Sequence, residues 1–292
     1  MSEPAGCAYA VVMVTRMAGP IYWERVGREG PTCVFLHPLP HDLTAWIFQL
    51  AELSRWMRCV AIDLPGLGRS PAAAAGVTMT DLAAACWSAV DEAGPRDATV
   101  VVGLSVGAII AKHMAAQRPE QVRALVLTGG GYHGSGRPSL PTPKGIAPIH
   151  VPRYRSLGLA YRREHFARNF TGAFLAGPLY RWLVDLAIAR GGDAEGIVRL
   201  LLALEEPDPP GLHASIRAPT LIVTGGADRS RTAQEELARR ISGAELRVIE
   251  GAGHCCNLER PAEYDRLVLE HLVRLGLVPK EAAADKARPA AS

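Results

Sequence analysis

Gly103-Leu104-Ser105-Val106-Gly107 sets a serine between two glycines, each two residues away. An apolar run at 98–102 leads into it, and a segment with helical spacing, 106–117, leads out. A sharp strand-to-helix turn of this kind holds its central serine in a strained backbone, while the small flanking residues let strand and helix approach. Ser105 is therefore the candidate nucleophile. A serine hydroxyl attacks only once a general base takes its proton, and that base needs a carboxylate to fix its tautomer and stabilise the imidazolium. Both residue types follow in order. Asp228 ends Gly225-Gly226-Ala227-Asp228 and His254 ends Gly251-Ala252-Gly253-His254, each just beyond an apolar run. The chemistry of such a set is acyl transfer through a covalent acyl-serine. Charge developing on the attacked oxygen needs donors, and the Val106 N–H directly after the serine supplies one.

Three residues so far apart in sequence meet only if the intervening elements bring them together. Short β-branched runs at 32–36, 58–62, 98–102, 124–128, 220–224 and 246–249 read as buried strands. Segments at 42–56, 80–93, 106–117, 232–241 and 261–275 carry helical spacing, several opened by Asp, Thr or Ser at an N-cap position. This alternation predicts a parallel sheet, whose strand C-termini share one edge where the three loops converge. Runs at 9–14 and 21–25 add an antiparallel edge, for an α/β fold with a mostly parallel sheet of eight strands flanked by helices.

The alternation breaks between Tyr132 and Arg217, a separation too long for one crossover. There 133–152 is rich in Pro and Gly and reads as a long loop, 157–176 and 179–189 read as helices, and 197–204 as a short helix. A helical cap inserted into the core is the simplest account. The chain then divides into a first core segment, 1–131, a cap, 132–217, a second core segment, 218–278, and a tail, 279–292, whose lack of apolar periodicity predicts disorder.

Composition narrows the classes. A chain of 292 residues, 48% hydrophobic and 21% charged, is globular and long enough for a sizeable core. A net charge of +3 over that length argues against a dedicated nucleic-acid binder. The six cysteines form no CxxC pair, which argues against a zinc site or a disulfide framework and for reduced thiols. No long apolar run and no basic start before one is present, so the expectation is a cytoplasmic protein without a membrane segment.

Five motifs in order now carry a resemblance: His37-Pro38-Leu39-Pro40, the stretch from Asp63-Leu64-Pro65-Gly66 to Ser70, the serine turn, Gly226-Ala227-Asp228, and Gly253-His254 followed by Glu259-Arg260-Pro261. Together, over about residues 20–278, they resemble the α/β-hydrolase superfamily, in the form of a capped serine hydrolase. The resemblance implies a triad of Ser105, Asp228 and His254. It also implies an oxyanion hole of the Val106 and Leu39 N–H groups, and it makes the loop after Asp63 a wall of the pocket. The sequence departs from the family at Pro38, where glycine is usual; its fixed φ restricts the turn, and Pro40 biases Leu39 towards extended backbone. For Asp63 and Ser70 the plainer reading is a loop held by a capping aspartate. His37 and His41 have no third residue at metal-ligand spacing, and no cofactor is implied.

The cap bears on the substrate. Eight basic residues from Arg137 to Arg181 face only Glu164, a surplus of +7 that favours an anionic or carrier-linked small molecule; the alternative is a solvated basic face. Phe166, Phe170 and Phe174 recur at spacing four, which places them on one helical face, partly packing and partly touching substrate. His37, Trp46, Tyr132, Tyr161, Phe166 and Phe170 are the candidate substrate contacts. The reaction read from these residues is hydrolysis of a small to medium apolar ester, thioester or lactone. Carbon–carbon cleavage of a diketone, a cofactor-free cyclase or lyase reaction, and a non-catalytic ligand-binding role on the same pocket stay open.

Overall fold

The computed structural model describes residues 14–18, 21–27, 30–94, 99–131 and 145–284. Its strands are β1 (Val14–Ala18), β2 (Ile21–Gly27), β3 (Thr32–Leu36), β4 (Arg58–Ile62), β5 (Thr99–Leu104), β6 (Val122–Thr128), β7 (Thr220–Gly225) and β8 (Glu245–Ile249). They form one eight-stranded sheet in the order β1-β2-β4-β3-β5-β6-β7-β8. β1 and β2 pair antiparallel, β2 joins β4 antiparallel, and every later pair is parallel. The first edge strand lies further along the chain than the run at 9–14 suggests; 9–13 fall outside the described residues.

The core helices are α1 (Ile47–Leu53), α2 (Met79–Ala93) and α3 (Val106–Gln117) in the first half. Between β6 and β7 lie α4 (Ala147–Leu157), α5 (Arg162–Ala167), α6 (Gly172–Leu175), α7 (Pro178–Ala189), α8 (Ala194–Ala203) and α9 (Leu212–Ser215). The chain continues with α10 (Arg231–Arg240), α11 (Cys256–Glu259), α12 (Pro261–Arg274) and α13 (Glu281–Ala284). Alternate residues of the central strands feed two cores. Val34, Leu36, Val60, Ile62 and Val101 pack with Leu82, Cys86 and Trp87 of α2 and with Ile110 and Met114 of α3. Phe35, Cys59, Ala61, Val100 and Val102 pack with Trp46, Leu53 and, from α12, Tyr264, Val268 and Leu272. Burial on both faces is why these strands read as unbroken apolar runs. Among the described residues no helix is long and apolar enough to cross a membrane.

Four expectations about elements need correction. The segment 42–56 is not one helix: Asp42 caps a 3-10 turn, Leu43–Trp46, and α1 follows. Within 133–152, read as loop, the described part from Ala147 is helical. Pro148 sits in its first turn, where no N–H is needed. The Glu205 carboxylate accepts the Ile146 and Ala147 N–H groups at 3.0 and 2.9 Å, a cap supplied from beyond α8. The segment 157–176 is broken, because Gly158 adopts φ +57° at the end of α4 and Thr171 starts a new cap at α6. Phe166, Phe170 and Phe174 therefore lie in α5, in a turn and in α6 rather than on one face. Beyond Pro279 the chain makes one more short helix, α13, because Ala282 finds a fully buried place beside Val278 and α12.

Candidate active site

Ser105 occupies the turn between β5 and α3 at φ +56°, the one positive φ outside glycine among the described residues. The turn works because its neighbours are glycine. A Cβ on Gly103 would lie 2.3 Å from the Gly107 carbonyl oxygen, and one on Gly107 would lie 2.1 Å from that of Leu36. The Ser105 N–H donates to the Thr128 carbonyl at 2.7 Å, which fastens the turn to the end of β6. The side chain is partly exposed.

His254 and Asp228 come from the loops after β8 and β7. These loops interlock: the Gly226 and Ala227 N–H groups donate to the Ile249 and Ala252 carbonyls at 2.8 and 2.9 Å. His254 Nδ1 lies 3.0 Å from Asp228 Oδ2 and 3.2 Å from Oδ1. Burial alone pushes the imidazole pKa down, but the Asp228 carboxylate outweighs it and leaves the pKa above the ordinary value. Burial likewise pushes Asp228 up, yet His254 and the Ser230 N–H and hydroxyl bring it to about 2. Asp228 is thus an anion at neutral pH and leaves Nε2 as the basic nitrogen of His254.

Gly129 and Gly130, just past β6, separate His254 from the serine turn. A Cβ on Gly129 would meet the His254 ring, and one on Gly130 would lie 3.2 Å from the Ser105 carbonyl oxygen. No hydrogen bond joins Ser105 Oγ to His254 Nε2; a nucleophile–base contact of this kind tightens in the Michaelis complex. A residue that sequence spacing does not flag holds the arrangement. Gln234 of α10, fully buried, donates from Nε2 to Asp228 Oδ2 at 3.0 Å and to Thr224 Oγ1 at 2.8 Å. Its Oε1 accepts the Gly129 N–H at 2.8 Å. It ties the carboxylate to the glycine beneath the imidazole.

Val106 begins α3, where the first N–H groups of a helix have no partner of their own and carry the positive end of its dipole. The Leu39 N–H is aimed by its own peptide. The Pro38 carbonyl accepts the His41 N–H at 2.9 Å and faces His37 Nδ1 at 3.0 Å. In a trans peptide the N–H points opposite to the carbonyl, so these bonds set where the Leu39 N–H points. The Leu39–Pro40 bond is cis.

A model of the alpha/beta hydrolase family matches residues 33–267. The chain belongs to this family. It is similar to the dihydrolipoyllysine-residue acetyltransferase component of the acetoin cleaving system of Cupriavidus necator, 27% identical over 92% of this chain and 70% of that protein. It is similar, too, to a 2-hydroxy-6-oxononadienedioate/2-hydroxy-6-oxononatrienedioate hydrolase of Pseudomonas putida, 26% identical over 93% of this chain and 98% of the relative. Among solved structures, a thermophilic esterase from Thermogutta terrifontis superposes with a TM-score of 0.75 at 25% identity, covering 91% of this chain and 98% of that one.

In this alpha/beta hydrolase the candidate substrate contacts separate. His37 is buried, and its Nε2 accepts the Leu64 N–H at 2.8 Å while Nδ1 faces Pro38. Burial lowers its pKa to about 3, so it is a neutral clamp on two loops rather than a substrate contact. Trp46 is fully buried between Phe35 and Tyr264, with ring centroids at 5.4 and 6.3 Å, and belongs to the core. Tyr132 lies outside the described residues. Tyr161 is buried among the helices between β6 and β7, its hydroxyl 3.0 Å from His150 Nδ1. Phe166 and Phe170 pack edge-on against His41, at centroid distances of 4.4 and 5.7 Å, which brings the segment from α5 to α6 against the loop of Leu39. Asp63 takes the capping role: its carboxylate accepts the Leu43 and Arg69 N–H groups, each at 2.9 Å.

Proposed function

We propose that this alpha/beta hydrolase is a serine hydrolase that cleaves a small to medium apolar ester, thioester or lactone through an acyl-enzyme. The observation that carries this reading is the strained Ser105 turn standing across Gly129 and Gly130 from a His254–Asp228 pair. Ser105 Oγ attacks the carbonyl carbon as His254 Nε2 takes its proton, and the carbonyl oxygen becomes an anion held by the Val106 and Leu39 N–H groups. Collapse expels the leaving group, which receives the proton from His254. Water, deprotonated by the same imidazole, then releases the acid. The helices between β6 and β7 act as a cap that screens this site from water.

A second reading has its own support. The substrate named for the Pseudomonas putida relative contains no ester, so its hydrolysis breaks a carbon–carbon bond, and the same triad serves that chemistry. The basic surplus of the cap keeps anionic substrates in view, although part of it is spent within the protein. Arg153 pairs with Glu164, Arg163 reaches Asp185 at 2.6 Å, and Arg162 is buried.

One comparison decides between them. Purified protein is assayed with p-nitrophenyl acetate and butyrate, an acyl thioester, a γ-lactone and a vinylogous diketone acid, each followed to kcat/KM. The ester reading expects the highest kcat/KM on an ester, thioester or lactone. A preference for the diketone acid by a factor of about 100 would overturn it in favour of carbon–carbon cleavage.

A further inference from the structure

Asn169 lies in the turn between α5 and α6 and touches both loops on which the proposed chemistry depends. Its Nδ2 donates to the Leu39 carbonyl oxygen at 2.8 Å, and its own carbonyl oxygen accepts the Cys255 N–H at 3.1 Å. Only the amide nitrogen can face a carbonyl oxygen, so the orientation of the side chain is fixed by chemistry. The residue is buried.

The contact has a context on each side. Three successive carbonyls of the loop after β3 are held: Pro38 by the core, Leu39 by Asn169, and Pro40 by Arg162 Nε at 2.8 Å. Two of the three partners come from the cap. On the other side the Thr171 N–H and hydroxyl donate to the two Glu259 oxygens at 3.0 and 2.5 Å. The Gly253 N–H donates to the same carboxylate at 3.1 Å. The cap segment, the loop of His254 and the loop of Leu39 are therefore one hydrogen-bonded unit.

We propose that Asn169 is a positioning residue of the catalytic site, holding the Leu39 loop so that its N–H stays aimed at the oxyanion while the same segment anchors the loop of the base. The cap in this view builds the oxyanion hole as well as covering it. The inference rests on the serine hydrolase reading above. An amide at this position serves because it donates to Leu39 while its backbone, which substitution leaves in place, keeps the bond to Cys255.

The test compares wild type with Asn169→Ala, Asn169→Ser and Asn169→Asp, using p-nitrophenyl butyrate turnover, the rate of fluorophosphonate labelling of Ser105, and thermal melting. Misaiming one of two oxyanion donors predicts a fall in kcat of about 10- to 100-fold, below the loss seen when such a donor is removed outright. The labelling rate falls in parallel, and KM stays within about twofold, because ground-state binding does not use the hole. The acid limb of the pH profile keeps its midpoint, since the Asn169 side chain does not touch the His254–Asp228 pair. Variants that melt earlier but turn over and label like wild type would overturn the proposal and leave Asn169 a purely structural residue. Failure of all three variants to fold would overturn it equally. A wild type that neither turns over ester nor takes up the probe would instead strike at the serine hydrolase reading itself.

Discussion

The imidazole of His254 rests on the backbone of Gly129, so closely that a Cβ on that glycine would come within 2.4 Å of Cε1 and 2.9 Å of Nδ1. Gly129 also stands at φ +65°, in the left-handed region that disfavours side chains. The glycine is thus the floor against which the imidazole is seated, and Gln234 holds that floor to Asp228.

Replacing the floor tests the seating. Gly129→Ala displaces the ring and is expected to lower kcat by about 100-fold, the scale of a 1 Å misplacement. The forced φ costs about 1–2 kcal/mol of stability. Steady-state kinetics and urea unfolding measure the two effects separately. Unchanged kcat would mean that the ring is not seated there during turnover.

The pH profile follows from the charge pair. On the proposed mechanism only neutral His254 accepts the serine proton, so kcat/KM is expected to rise with pH through a midpoint above the ordinary imidazole value of about 6.5, because Asp228 outweighs burial. Asp228→Asn leaves burial unopposed. Its midpoint moves to lower pH while the rate falls by about 10⁴-fold. A midpoint that stays fixed in this variant would assign the limb to another group.

The same pair has a stability signature with two signs. The raised pKa of His254 contributes stability below the ordinary imidazole value that is lost as pH rises through the raised one. The lowered pKa of Asp228 contributes stability above the ordinary carboxylate value that is lost as pH falls through about 2. Denaturant midpoints between pH 2 and 9 for wild type and Asp228→Asn check both directions. Parallel curves for the two proteins would contradict the pairing.

Away from the site, Lys112 of α3 is fully buried, its Nζ 2.7 Å from Asp208 Oδ2 and 3.3 Å from the Gly131 carbonyl oxygen. One ammonium thus holds the chain just past β6 to the segment between α8 and α9. Lys112→Met takes the ammonium from a buried carboxylate that still has the His213 and His113 imidazoles at 3.2 and 3.8 Å, and is expected to cost about 3 kcal/mol in urea unfolding, with part regained on adding Asp208→Asn. A loss below about 1 kcal/mol would show the ammonium to be incidental.

Periodicity and turn chemistry carried most of the sheet into view, because buried parallel strands are unbroken apolar runs between Gly-rich turns. The segment between β6 and β7 was less legible. Its helices are short and held by distant side chains, as Glu205 holds the start of α4, and such contacts leave no local pattern. The site divides in the same way. Ser105, Asp228 and His254 stand in Gly-rich turns just past strand ends, so spacing points to them. His37 and Trp46 show how residue type misleads: one is spent on Leu64 and Pro38, the other on Phe35 and Tyr264. Gln234 and Asn169 are uncharged and follow no motif, and Gln234 reaches Gly129, and Asn169 reaches Leu39 and Cys255, across long stretches of sequence. Only the folded chain brings them to the site.

Whether Ser105 is an activated nucleophile is read by treating wild type and Ser105→Ala with a fluorophosphonate probe and with p-nitrophenyl acetate and butyrate. Intact mass reads covalent labelling, and nitrophenolate release reads turnover. An activated Ser105 gives one equivalent of probe on wild type, turnover of at least one ester, and loss of both in the variant. A folded wild type that neither labels nor turns over, or a Ser105→Ala variant that keeps both, would contradict it.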